Sequence, residues 1–261
     1  MNLLLRSLLL FLLTISVWSQ DFPDSQTDGK YYNINGAKIW TVSFGNGEPL
    51  FFIAGGPGYA HSYLRKFDSL STTNTLVYLD AFGRGKSDTA KNVMEYTLER
   101  DVEDLEGLRR AMGFSSISNL GHSYGGLVAQ AYAIKYPNNV SHLILANSFH
   151  SFLMWQENCD NSNREIKTNY PEVWDELMKA REQGVVSSDQ IHQDIYSRVP
   201  YGFLYAYNPE NFKKGSSKPY PNSMNTKLYS QMVGKDGDSI VGNDIGNFDF
   251  RKQLKDLKCQ Y

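Results

Sequence analysis

Gly121-His122-Ser123-Tyr124-Gly125, followed by Gly126, is the segment with the clearest chemical potential. A serine with glycines two positions away on each side suits a tight turn that projects a nucleophilic hydroxyl, provided the turn joins a buried strand to a helix. The surroundings supply that setting: an apolar run at 117–120 precedes the motif, and a helical period at 127–136 follows it and is stopped by Pro137. Gly121 and Gly125 are needed because a Cβ at either point would strike the neighbouring strand and helix. A helix beginning near Tyr124 would turn its free amides and positive end toward Ser123, favouring negative charge that develops there. Taken alone, the same residues read as a serine in an ordinary strand-to-helix turn.

Acyl transfer to a serine creates a tetrahedral oxyanion that needs two N–H donors, one on the residue after the nucleophile and one from the loop after the third strand. Gly55-Gly56-Pro57-Gly58 directly follows the apolar run at 50–53. Tyr124 N–H and Gly56 N–H are the candidate donors, with Gly55 and Gly58 permitting close backbone approach and Pro57 fixing the loop. Out of context the four residues are turn chemistry, and their place in the strand order gives them meaning. A third motif, Asp80-Ala81-Phe82-Gly83-Arg84-Gly85-Lys86-Ser87, follows the fourth strand. It reads as architectural, with Asp80 and Arg84 available to bond the loop, and a catalytic carboxylate at Asp80 is the alternative.

The elements that must hold these motifs alternate between strands and helices. Segments 31–34 and 38–44 flank Asn35-Gly36, a strong hairpin signal. Short apolar runs at 50–53, 75–79, 117–120 and 143–146 suit strands buried on both faces. Between the second and third runs, Leu98, Val102, Leu105, Leu108 and Met112 recur on one helical face, with Thr97 as N-cap and Gly113 at the end. This order predicts an α/β fold, a mostly parallel sheet with an N-terminal antiparallel hairpin and helices on both faces. From Phe149 to about Asn247 the chain turns polar and aromatic, with helices at 172–183 and 189–196 and rings at Trp155, Tyr170, Trp174, Tyr196, Tyr201, Phe203, Tyr205, Tyr207 and Phe212. That stretch reads as a helical lid (cap) insertion whose aromatics either line a pocket or pack the insertion onto its host.

Composition narrows the function. Of 261 residues 41% are apolar, and 26 Lys and Arg stand against 28 Asp and Glu, with no long run of one sign, so no nucleic acid partner is expected. Cys159 and Cys259 are far apart and lack a second ligand at metal spacing, so neither a metal nor a cofactor is expected, and at most one disulfide. Residues 1–19 resemble a cleavable export signal: Arg6, then an apolar stretch, then Val17-Trp18-Ser19 before Gln20. The apolar stretch is interrupted and shorter than the ~20 residues that span a bilayer, so no stable membrane insertion is expected after cleavage. The expected organisation is a signal at 1–19, a core at 30–148, a cap at 149–247 and the start of a C-terminal core segment at 248–261, with the protein exported to a periplasm or the medium.

Phe-Ile-Ala-Gly-Gly-Pro-Gly with His61-Ser62-Tyr63-Leu64 after it, Leu79-Asp-Ala-Phe-Gly-Arg-Gly-Lys-Ser, and Gly-His-Ser-Tyr-Gly-Gly together resemble the prolyl aminopeptidase (proline iminopeptidase) branch of the α/β-hydrolases. The resemblance is close over about 30–148 and loose over the cap. It departs at Ala54, where the family usually has histidine. It implies an α/β-hydrolase fold and a small peptide or ester substrate. It further implies that Ser123 attacks the bond after an N-terminal proline or small residue, while acidic cap residues hold the free amino or imino group. Glu157, Asp236 and Asp238 are the candidates for that last role. A carboxyl-ester hydrolase is the alternative within the enzyme class, because nucleophile and oxyanion loop are shared chemistry.

The same resemblance puts a catalytic acid and histidine after further strands beyond the cap, whereas the sequence in hand reaches Tyr261 without them. The sheet is accordingly expected to lack its last strands and to leave an apolar edge. A serine hydroxyl without a base is a weak nucleophile, so this stretch by itself is expected to be severely impaired, or to be a non-catalytic relic or binding module. Of the five histidines, only His150, just after a strand, lies near the expected catalytic edge, and it reads as an ordinary loop histidine.

Overall fold

The computed structural model describes residues 29–200 and 224–257. The leader at 1–19, the aromatics Tyr201, Phe203, Tyr205, Tyr207 and Phe212, and Cys259 lie outside the described residues. Strands β1 (Lys30–Ile34) and β2 (Ala37–Phe44) form the expected hairpin, and Asn35 and Gly36 take φ of 47° and 82°, as a two-residue turn with the strand twist requires. Beyond them come β3 (Glu48–Ile53), β4 (Asn74–Asp80), β5 (Ile117–His122) and β6 (Val140–Ala146). The sheet order is β1-β2-β4-β3-β5-β6, with β2 antiparallel to β4 and the remaining pairs from β4 to β6 parallel.

Alternation along the central strands divides the core between the two faces. Phe51, Ile53, Val77 and Leu79 point to one face. There they meet Val102, Leu105 and Leu108 of α1 (Leu98–Ala111) and Leu127 and Tyr132 of α2 (Tyr124–Lys135). Leu50, Phe52, Leu76 and Tyr78 point to the other, against Trp40, Val42 and Leu64, the last from a 3₁₀ segment at His61–Thr72. Phe51 and Phe52 are both completely buried, as strands covered on both faces demand. Thr97 caps α1 by accepting the Arg100 N–H at 3.0 Å, and Gly113 takes φ 79° just past its end.

The last strand forms the apolar edge that was expected, with its bounds shifted. β6 begins at Val140 rather than Leu143, and Ile144 and Leu145 are 41% and 46% exposed. Among the described residues β6 pairs only with β5, so its outer side has no strand to shield it. After it the chain forms α3 (Phe152–Asn169), α4 (Pro171–Glu182), α5 (Gln190–Tyr196) and α6 (Thr226–Val233). Ile166, Leu177, Ala180, Ile195 and Val199 give α3, α4 and α5 a small core of their own. The chain returns to the sheet side through a bridge of Ser151 with Asp249, flanked by Phe152 N–H to Phe248 O and Phe250 N–H to His150 O. Among the described residues no helix is long and apolar enough to cross a membrane.

Candidate active site

Register brings the motifs together. Ile53 of β3 lies opposite Gly121 of β5, and His122 lies opposite Ala146 of β6, so the ends of three parallel strands share one edge. Ser123 stands at the turn from β5 into α2 with φ 53° and ψ −122°, a backbone conformation that non-glycine residues rarely adopt. The turn is held on all sides: Ser123 N–H donates to Ala146 O at 3.0 Å, and Ser123 O accepts from Gly126 N–H at 2.9 Å and the Ser148 hydroxyl at 2.8 Å. These bonds compensate the strain and leave the side chain partly exposed at the edge.

The glycines on either side are sterically required. A Cβ on Gly121 would lie 2.3 Å from Gly125 O, and one on Gly125 would lie 2.0 Å from Ile53 O. Gly125→Ala is therefore expected to destabilise the protein by about 1–3 kcal/mol, as overpacking against backbone does, and a thermal melt against wild type checks this. The β3 loop packs directly on the turn, since a Cβ on Gly55 would come within 2.9 Å of Ser123 Cβ and 2.8 Å of His122 O. Gly56 takes φ 86°, and the Tyr59 ring lies over it. Gly58 O accepts the Asn225 N–H at 3.0 Å, so the start of α6 sits on the far end of this loop.

The amides at the edge sort themselves by what they bind. Gly55 N–H donates to the Tyr63 hydroxyl at 2.7 Å, and Ser123 N–H is taken by Ala146. Gly56 N–H and Tyr124 N–H have no acceptor among the described residues. Tyr124 opens α2, where the first N–H groups have no intrahelical partner.

Beneath the loop lies a buried network centred on Arg84. Its guanidinium pairs with both oxygens of Asp101 at 2.6 and 2.8 Å and donates to Phe82 O and, through Nε, to Pro57 O at 2.7 Å. Tyr124 donates its hydroxyl to the same Asp101 at 2.7 Å, and burial with that carboxylate holds the phenol well above its ordinary pKa. Arg84 thus joins the oxyanion-loop candidate to α1 and to the residue after Ser123. A cavity of about 20 Å³ bordered by Pro57, Arg84, Asp101 and Tyr124 has room for about one water and none for a substrate.

Asp80 is architectural here: completely buried, it accepts from His61 Nδ1 at 2.7 Å, His61 N–H at 3.1 Å and Lys86 N–H at 2.9 Å. Among the described residues no hydrogen bond joins a histidine or carboxylate to the Ser123 hydroxyl. His122 Nδ1 lies 2.8 Å from the Tyr63 hydroxyl, His142 and His150 meet Ser118 and Ser151, and His192 is buried beside Arg181.

The acidic cap candidates differ sharply from one another. Glu157 is exposed on α3. The Asp236 carboxylate is occupied, accepting from Arg181 at 2.6 Å and from the Ser187 N–H and hydroxyl at 3.0 and 2.5 Å. Asp238 has no hydrogen bond to its carboxylate among the described residues, and burial pushes its carboxyl up to about 6. A carboxyl raised in the folded state destabilises the fold once ionised, so this cost grows as pH rises from about 4 to about 6 and is complete above that. Asp238→Asn should therefore raise the melting temperature at pH 8 and leave it nearly unchanged at pH 4. Cys159 is buried with its thiol toward Gly237 O at 3.4 Å.

Two residues of this edge escaped the sequence analysis as contributors. Asp101 sits three positions after Leu98 and four before Leu105, on the buried face of α1, where an acid signals a buried partner. Tyr63 carries no such signal, because its partner His122 is 59 positions away.

A family profile described as alpha/beta hydrolase fold matches residues 48–193, more than half of the chain, and the chain belongs to that family. Relatives that the chain matches over most of its length are proline iminopeptidases. It is 26% identical over 236 residues to a proline iminopeptidase of Heyndrickxia coagulans, covering 89% of this chain and 79% of the relative. A (lyso)-N-acylphosphatidylethanolamine lipase of Bos taurus is 39% identical over 119 residues, 43% of this chain and 35% of the relative. The proline iminopeptidase structure from Mycobacterium smegmatis superposes with a TM-score of 0.69 at 18% identity, covering 89% of this chain and 79% of that one, and so shares the fold.

Proposed function

We propose that the protein is a serine hydrolase of aminopeptidase type that releases an N-terminal proline or small residue from peptides through an acyl-enzyme on Ser123. One observation carries this reading: the strained Ser123 turn is packed against a loop whose Gly56 N–H, like Tyr124 N–H, has no acceptor among the described residues. In the mechanism Ser123 Oγ attacks the substrate carbonyl, the oxygen becomes an oxyanion between these two amides, and collapse expels the amine and leaves the acyl-enzyme for water. Among the described residues neither amide has a partner to release first, so the oxyanion meets donors already in place. The proton on Oγ needs a base, and none of the described residues is hydrogen-bonded to supply it, so those residues alone support only residual turnover.

Segment 149–247 is proposed as a cap over this edge, and Asp238 as the carboxylate that takes the substrate's charged amino group, since Asp236 is already paired and Glu157 is exposed. The long relatives named as proline iminopeptidases favour the peptidase reading, and the shorter match to a lipase supports an ester hydrolase as the second. Export, with cleavage before Gln20, is proposed from the leader and is checked by the N-terminus of the secreted protein.

A substrate comparison separates the two chemistries, using protein expressed from its natural reading frame. Proline arylamide should be cleaved faster than its N-acetyl form, because acylation removes the cation and leaves a buried carboxylate unpaired, which costs several kcal/mol. Asp238→Asn should raise KM for the free arylamide and spare a short nitrophenyl ester. Faster cleavage of the acetylated amide, or activity on esters alone, would remove the aminopeptidase assignment.

A further inference from the structure

We infer that Tyr63 and His122 are positioning residues that hold the β3 loop in the orientation that leaves Gly56 N–H as its donor, an inference resting on the acyl-transfer reading. The geometry is a short chain across the two loops: Gly55 N–H donates to Tyr63 Oη at 2.7 Å, and Tyr63 Oη lies 2.8 Å from His122 Nδ1. Burial holds His122 below its usual pKa, so the ring is neutral near pH 7 and Nδ1 can accept the tyrosine proton. The two rings also meet edge to face at 5.4 Å. His122 immediately precedes Ser123, so this chain ties the loop to the serine turn itself.

The need for such a tie follows from the Gly-Gly sequence. In a trans peptide the C=O of Gly55 and the N–H of Gly56 point in opposite directions, so the orientation of one plane decides both. Gly55 O accepts the Tyr59 N–H at 3.3 Å, a long bond, and Gly56 sits at φ 86°, a region that glycine enters and leaves at little cost. A rotation of that plane would replace the donor with a carbonyl facing the oxyanion. Anchoring Gly55 at its own N–H, by a hydroxyl that His122 polarises, restrains the rotation and also removes a competing donor.

The test measures ester kcat and KM, the rate of Ser123 phosphonylation by a fluorophosphonate, and melting temperature, all in protein from the natural reading frame. Tyr63→Phe keeps the ring and deletes only the hydroxyl, His122→Leu deletes the acceptor, and His122→Asn keeps an acceptor oxygen near the position of Nδ1. Tyr63→Phe and His122→Leu are expected to lower kcat and the phosphonylation rate about 10-fold or more, with KM within about twofold, since a misdirected oxyanion donor is felt in the transition state. His122→Asn should restore at least about a third of the wild-type rate, which a role in packing alone would not produce. Wild-type rates in Tyr63→Phe, a rise in KM at constant kcat, or equal losses in His122→Asn and His122→Leu would overturn the inference and leave the acyl-transfer reading standing. Absence of Ser123 labelling in the wild type would instead overturn that reading, and the inference with it.

Discussion

Replacing Ser123 with alanine is expected to lower turnover of proline arylamide by at least ~10³-fold while the protein keeps its fold, because binding and the oxyanion donors alone leave only residual catalysis. The turn makes this a clean test. Ser123 is held through its backbone by Ala146, Gly126 and Ser148, and its hydroxyl makes no hydrogen bond among the described residues. Alanine therefore removes no structural bond, and it retains the Cβ that packs on Gly55. Retention of more than a few per cent of wild-type turnover would assign the chemistry to another residue.

The second large effect is on stability. Arg84→Met is expected to destabilise the protein by about 3–5 kcal/mol, because it strands Asp101 as a buried and uncompensated charge. For a chain of this size that corresponds to a fall in melting temperature of about 10 °C. Both partners are nearly inaccessible, and the guanidinium also satisfies Phe82 O and Pro57 O. Losing the Pro57 bond should loosen the candidate oxyanion loop as well, so kcat is expected to fall even at temperatures well below the melt. A double variant, Arg84→Met with Asp101→Leu, should cost less than the sum of its parts, since no lone charge remains. Additive losses would show that the pair is not coupled as its geometry implies.

What was legible in the sequence was what local pattern encodes. Asn35-Gly36 specified its hairpin through the positive φ that the turn demands, and Thr97 and Gly113 bracketed α1 through capping. The glycines around Ser123 were readable because the steric reason for them is local. α3 was not foreseen: its run of asparagines and charges offers poor helix propensity, and its stability comes from packing Cys159, Ser162 and Ile166 against neighbours. The apolar run of β6 reports what the strand could bury, and its exposure follows from strand order, which puts β6 at the edge of the sheet among the described residues. Asp101, Asp104 and Glu106 lie buried on α1 beside its apolar face, each neutralised by an arginine, Arg84, Arg100 and Arg109 respectively. The Tyr63–His122 bond and the seat of Asn225 on Gly58 join segments far apart in the chain, and no periodicity records such contacts.

The central claim, that Ser123 is the nucleophile of an acyl-transfer site, is tested most directly by covalent labelling. Protein from the natural reading frame, treated with a fluorophosphonate and digested, should yield one modified peptide with the adduct on Ser123 and lose activity in proportion to labelling. An adduct on any other residue, or full activity after stoichiometric labelling of Ser123, would contradict it.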